Sequence, residues 1–163
     1  TMDELKGSDV LGELTTLHEQ GVEMVEPQDM SGALRNRQGI YEQMGALIKE
    51  AEEEILIMTT PTDMARKLDI LGKELKRAAD RGVTIKVICS GPCEVPSHIT
   101  CHSTDKVEAR FAIADGKEMV FTLMNDEDVH PSYDVGIWIN APYFTKAITQ
   151  VFDLAFPALK NHA

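Results

Sequence analysis

No stretch of this chain approaches the ~20 consecutive apolar residues that a membrane-spanning helix requires, and no signal-peptide pattern opens it. Thr1 and Met2 read as a remnant or a truncation start rather than a native leader. A cytoplasmic protein without membrane contact is expected. Positive charge is also scarce, with 16 Lys and Arg against 27 Asp and Glu and a net charge of −11. The densest basic group is the scattered set Lys73, Lys76, Arg77 and Arg81, whose helical spacing reads as a solvated face. An acidic surface disfavours nucleic-acid phosphates, which need a basic patch. Any contact with DNA must therefore come from another segment. Cysteines number three, and an odd count in a cytosolic chain argues against a disulfide framework. No G-x-S-x-G elbow or paired Cys–His–Asn context is present, so a catalytic triad is not supported.

What is there suits one ordinary domain. A chain of 163 residues buries roughly two-thirds of its unfolded surface, and 43% hydrophobic with 26% charged residues is globular composition. Residues 1–33 read as an N-terminal helix and linker. Leu5, Leu11, Leu14 and Leu17 form a weak stripe interrupted by Gly7 and Gly12, either the end of a dimerising helix or a docked terminal one. Residues 21–37 read as a connector with one short strand near Val22–Val25. The domain proper is placed at 34–163.

Within it, Ile40, Met44, Leu47, Ile48 and Ala51 recur on one helical face. EILIMT (54–59) has the length of a buried strand. TPTD (60–63) offers Thr62 or Asp63 as a cap for a helix over about 64–81, with Met64, Leu68, Leu71, Leu75 and Ala79 inward. Gly82 stops that helix, and VTIKVIC (83–89) is a second strand, predicted parallel to the first through a right-handed crossover. Strands at about 108–114 and 118–123 flank Asp115-Gly116, a tight-turn signal. DVGIWI (134–139) is a fifth strand. Asn140-Ala141-Pro142 begins the last helix, whose inward face reads as Phe144, Ile148, Val151, Phe152, Ala155 and Leu159. The sum is an α/β fold, a mixed β-sheet with helices packed on its faces.

The segment VEARFAIADGKEMVFTL (107–123) resembles the signature of the phospholipase-D-like fold, His-x-Lys-x4-Asp on a strand. Matching the aspartate to Asp115 puts Glu108 in the nucleophile's place and Arg110 in the lysine's. A carboxylate there repels the phosphate it should attack, so the resemblance implies a binding domain without catalysis. Four phrases in order are similar to the C-terminal domain of the archaeal TrmB-like family of transcriptional regulators. They are LRNRQGIYEQMGALIKEAEEEILIMT, LGKELKRAADRGVTIKVICSG, RFAIADGKEMVFTL and DVGIWINAPYFTKAITQVFDLAF, together covering roughly residues 34–156. The resemblance implies a homodimer sensing an unknown small-molecule effector without a cofactor. It implies DNA contact only through a winged-helix domain missing from this chain, which is expected to be a fragment. The sugar-sensing members' β-rich C-terminal region is also absent, so no sugar effector is inferred.

Ligands of open α/β sheets settle beyond the carboxyl ends of the parallel strands. Candidate ligand-binding residues are therefore Thr59, Thr60, Ser90, Gly91 and Cys93, joined by Glu108 and Arg110 from the third strand. Ordinary loop and capping chemistry explains the first five equally well. Arg110 can grip an anion in bidentate fashion or pair internally with Glu108 or Asp115. Cys93, His98, Cys101 and His102 form an alternative metal or redox-sensing set, with Cys89 read as a small buried hydrophobe. The loop around His130 can be a divalent-cation site or simply solvated. Trp138 reads as core or interface, and Phe152, Phe156 and Leu159 are available for a dimer contact. A divergent phosphodiesterase with another nucleophile remains the enzymatic alternative.

Overall fold

The computed structural model describes residues 30–125 and 129–161, and Ser31–Ala163 form one compact unit. Strand β1 (Ser31–Arg35) lies where a connector is predicted. It leads into helix α1 (Asn36–Glu50), β2 (Glu54–Thr59), α2 (Pro61–Asp80) and β3 (Thr84–Cys89). Then follow β4 (Thr100–Ser103), β5 (Phe111–Ala114), β6 (Glu118–Thr122), β7 (Val135–Asn140), α3 (Pro142–Ala155) and β8 (Lys160–Asn161). The predicted strand near Val22–Val25 and the leucine stripe before it lie outside the described residues.

The strands make a single sheet in the order β1-β7-β6-β5-β2-β3-β4-β8. Its centre, β2-β3-β4, is parallel, and every other pairing is antiparallel. Alternation along β2 explains the layering. Ile55 and Ile57 join the core under α1 and α2, while Leu56 packs on the opposite face with Phe152 and Phe156. Thr59 continues the first register, so its hydroxyl falls on the α1/α2 side, next to the start of α2.

Local chemistry accounts for the element ends. Thr60, rather than Thr62 or Asp63, caps α2, its hydroxyl accepting from the Asp63 amide at 3.1 Å, with Pro61 in the first turn. At the other end Gly82 has φ +92°, the left-handed conformation glycine tolerates, and Arg81 donates to the carbonyls of Ile48 and Ala51 at the end of α1. Asp115 and Gly116, at φ 55° and 65°, close a hairpin of the kind that requires two left-handed residues. The Asp115 carboxylate then accepts from the amides of Glu52, Glu53 and Glu54 at 3.0, 2.8 and 3.0 Å. This ties the hairpin to the start of β2, at the end of the sheet remote from Thr59. Burial alone would raise the pKa of that carboxyl, but the three amides outweigh it and hold it below the usual range.

The last helix departs from its predicted face. Asn140 ends β7 and caps nothing; Ala141 stands at the N-cap without a side-chain bond. Thr145, Thr149 and Phe152 are the buried positions, the Thr145 hydroxyl lying between the carbonyl oxygens of Ala141 at 2.6 Å and Lys117 at 2.7 Å. Phe144, Val151 and Ala155, expected inward, are exposed, whereas Phe152 is buried as expected with Ile148 and Leu159 packed beside it, and Phe156, offered for a dimer contact, lies in the same core. Trp138 packs half-buried on the core and donates to Glu118 at 3.3 Å. Among the described residues no helix is long and apolar enough to cross a membrane.

Candidate functional site

The carboxyl ends of β2 and β3, the entry to β5, the exit of β6 and the entry to β7 meet at one rim of the sheet. Beneath that rim, between the sheet and helices α1 and α2, lies a charged cluster whose hub is Asp63. Its carboxylate is fully buried, as is the ammonium of Lys67, one turn further along α2. Lys67 pairs directly with Asp63 Oδ2, and the Thr59 hydroxyl donates to the same oxygen at 2.5 Å. Oδ1 accepts from the Tyr41 hydroxyl at 2.5 Å, Arg110 Nη2 at 3.2 Å and Arg66 Nη1 at 3.3 Å.

A second buried carboxylate, Asp134, stands just before β7. Its Oδ2 lies 3.3 Å from Arg37 Nε and 3.5 Å from Arg110 Nη2, while its Oδ1 has no partner. Arg110 therefore bridges two acids that neither Glu108 nor Asp115 replaces, which corrects the predicted internal pairings. The reason is register. Ala112 and Ala114 face α1 and α2, so Arg110 faces them too, towards the first turn of α2. Asp115 lies at the far end of β5, and Glu108 is exposed.

The cluster sets its own protonation. Burial by itself would push the Asp63 carboxyl up, but Lys67 and Arg110, with bonds from Lys67 and Thr59, hold it well below the ordinary carboxylate range. The Tyr41 phenol moves the other way, raised first by burial and then by the neighbouring Asp63 charge. Both groups keep one protonation state across physiological pH, which suits a structural brace more than proton transfer.

Outside this brace a cleft of about 340 Å³ opens to solvent, and Thr60, Glu108, Arg110, Thr122 and Asn125 are among the residues lining it. The structure thus gathers three of the seven candidate ligand residues. Thr59 sits behind them, occupied by Asp63 and Lys67. Ser90, Gly91 and Cys93 do not line the cleft. Gly91 lies against Pro61, where an added Cβ would come within 3.2 Å of the proline ring. Cys89 is buried in the apolar core at the end of β3, as expected, and is bonded to Cys93, which corrects the argument against a disulfide.

The metal alternative is not assembled. Cys101 points into the α1/α2 core and His102, its neighbour on β4, to the opposite face. There His102 stacks on Phe156, with ring centroids 3.8 Å apart. Among the described residues no group of three or more His, Cys, Asp or Glu is arranged to hold a metal ion. His130 accepts from the Ser132 amide and caps a short turn at Pro131–Tyr133. Sequence reasoning missed Tyr41, Asp63, Lys67 and Asp134 as site residues. The i, i+4 spacing of Asp63 and Lys67 beside Met64 and Leu71 was the available signal.

A family model described as "Transcriptional regulator TrmB, EBD N-terminal subdomain" matches residues 33–153. Among solved structures, TrmBL2, an archaeal chromatin protein whose structure shows a novel mode of DNA binding, is similar with TM-score 0.63 and 16% identity. That match covers 97% of this chain and 64% of the other, so the chain spans somewhat under two-thirds of that relative's length. Nuc of Salmonella typhimurium, a phospholipase D family member, gives TM-score 0.61 and 12% identity over 80% of this chain and 96% of its own. NucT from Helicobacter pylori gives 0.58 and 12% over 80% and 98%. At such identities the likeness is one of fold, and the fold is phospholipase-D-like. No curated protein matches the sequence.

Proposed function

This chain belongs to the TrmB family of transcriptional regulators, and from that membership we propose that its α/β unit is a non-catalytic domain for effector sensing and self-association. The carrying observation is the state of Arg110. In the motif alignment it stands where the phospholipase-D-like enzymes place their lysine, yet its side chain is only 4% exposed and paired with both Asp63 and Asp134. Its guanidinium is thus held beneath the cleft by two buried carboxylates rather than presented to a phosphodiester as a free ammonium would be. Glu108, at the nucleophile's place, adds an exposed negative charge to the same cleft, and among the described residues no imidazole lines it.

The cleft is lined instead by Thr60, Thr122 and Asn125 together with the exposed Glu108 carboxylate. These suit a small neutral or zwitterionic polar molecule as effector. Binding there biases two arrangements of a homodimer to the extent that the effector prefers one of them. A winged-helix domain outside this sequence reads the difference on DNA, in the cytoplasm.

Two measurements test this reading. Purified protein should hydrolyse bis(p-nitrophenyl) phosphate no faster than buffer. Turnover that disappears in both Arg110→Lys and Glu108→Gln would overturn the non-catalytic assignment. A thermal-shift screen of polar metabolites should find a stabilising compound whose effect is lost in Glu108→Ala, at an exposed position that leaves the fold intact. A screen whose hits are all indifferent to that substitution would remove the cleft from the proposal.

A further inference from the structure

A second opening lies on the other face of the sheet, where no polar effector would settle. Between α3 and the rim ends of β2, β3 and β5 there is a cavity of about 450 Å³, within the ~300–1,000 Å³ typical of small-molecule sites. Met58, Ile88 and Phe111 form its sheet wall, and Ile148, Phe152 and Leu159 its helix wall. Two small side chains are part of its lining, Ala109 from the segment before β5 and Ala155 from α3. Val107 and Val151, 55% and 62% exposed, carry the apolar lining out to solvent.

Polar character is confined to Thr104 and Lys106. The Thr104 hydroxyl accepts from the Lys106 amide at 3.2 Å, which turns it to its own loop. The exposed ammonium of Lys106 is then the one charge on the lining, and it is positive in a chain of net charge −11. Asp153, the acid nearest along α3, acts instead on Glu54, at the opposite end of β2 from Met58. Apolar walls favour hydrocarbon, since enclosing it removes water from both surfaces. A lone exposed cation beside them favours an anionic end.

We propose that this cavity binds a single-chain amphiphile with an anionic head, a medium-chain carboxylate, with its hydrocarbon between the sheet and α3 and its head beside Lys106. The site lies across the sheet from the polar cleft and does not depend on it.

Isothermal titration of the whole chain with sodium decanoate, below the concentration at which it forms micelles, tests the assignment. Saturable binding at one site per chain is expected. Ala155→Trp, at an exposed position, should weaken it at least about tenfold without lowering the melting temperature. Lys106→Gln should weaken decanoate about threefold to fivefold, as loss of an exposed ion pair does, and leave decanol unaffected. Absence of saturable binding would overturn the proposal, as would affinity indifferent to Ala155→Trp. Equal binding of decanol and decanoate, unchanged by Lys106→Gln, would remove the anionic head. Finally, a dimer dissociated by Leu154→Glu, with decanoate bound by that variant alone, would show this face to be the contact between copies and the ligand reading to be wrong.

Discussion

Replacing Asp63 by asparagine keeps the side chain's shape and removes one charge from the centre of the buried cluster. Lys67 and Arg110, 1% and 4% exposed at the side chain, are then left facing an amide. Removing one partner of a buried ion pair destabilises a fold by about 3–5 kcal/mol, because the remaining charge is neither hydrated nor matched. Asp134 still attends Arg110 at 3.5 Å, and Thr59 still accepts from Lys67 at 3.2 Å. The expected magnitude is therefore about 3 kcal/mol, the lower end of that range. In a unit of this size, that lowers the melting temperature by roughly 10–15 °C.

Urea unfolding at pH 7 of the wild type, Asp63→Asn, Lys67→Met and the double variant measures the coupling directly. The double variant should be more stable than Asp63→Asn alone, since it removes the stranded ammonium together with its partner. The pH dependence follows from the depressed carboxyl pKa. A group whose folded pKa is below its unfolded one stabilises fully above the unfolded value, about 3.9 for aspartate. That stabilisation is lost as pH falls through the folded value. The gap between wild type and Asp63→Asn should thus be level from pH 7 to about 5 and close only in stronger acid. A loss below about 1 kcal/mol, the range of a surface pair, would refute the account of Asp63 as the structural hub. A gap already closing between pH 7 and 6 would refute it too.

Three further outcomes are expected. Asp115→Asn leaves one acceptor oxygen for three backbone amides and should lose about 1–2 kcal/mol at neutral pH; because the native carboxyl is depressed, the difference should vanish in acid as that carboxylate protonates. Gly136→Ala would place a Cβ 2.9 Å from Ile40 Cγ1 and 3.2 Å from the Phe121 carbonyl oxygen, and denaturant unfolding should show a loss of about 1–3 kcal/mol from overpacking. Iodoacetamide followed by mass spectrometry should label Cys89 and Cys93 only after reduction, since they are bonded to each other. Cys101, buried and with its thiol pKa raised by that burial, should react only on unfolding.

The parts of this fold legible in the sequence are those decided locally. The face Ile40–Met44–Leu47–Ile48 and the strand at 54–59 are set by apolar spacing, and Gly82 and Asp115-Gly116 by backbone conformations few residues adopt. What escaped is decided across distance. Strands β1 and β4 are short and partly exposed, so their patterns carry little periodicity, and only pairing with β7 and β3 defines them. Lys67 reads as a surface residue next to Leu68, yet it takes the inner position because Asp63 and Thr59 neutralise and bond it. On α3, aliphatic bulk suggested an inner face that includes Phe144 and Val151, whereas Thr145 and Thr149 are buried and those two are exposed. Arg110 was recognisable as a candidate from its motif alone, but its partners Asp63 and Asp134 lie 47 and 24 positions away in a 163-residue chain, and no local pattern joins them.

The four residues from Val107 to Arg110 have a mechanical consequence. At its downstream end this segment is anchored firmly: the Arg110 carbonyl accepts from the Thr122 amide and its guanidinium is held by two carboxylates. Towards Val107 its side chains are open to solvent. Ala109 borders both the polar cleft and the apolar cavity, so the segment contributes to the walls of both. By reciprocity, whatever factor one occupant changes in its neighbour's affinity, the neighbour returns. The cleft and the cavity, on opposite faces of the sheet, thus share Ala109 as a common lining residue, anchored one position away at Arg110.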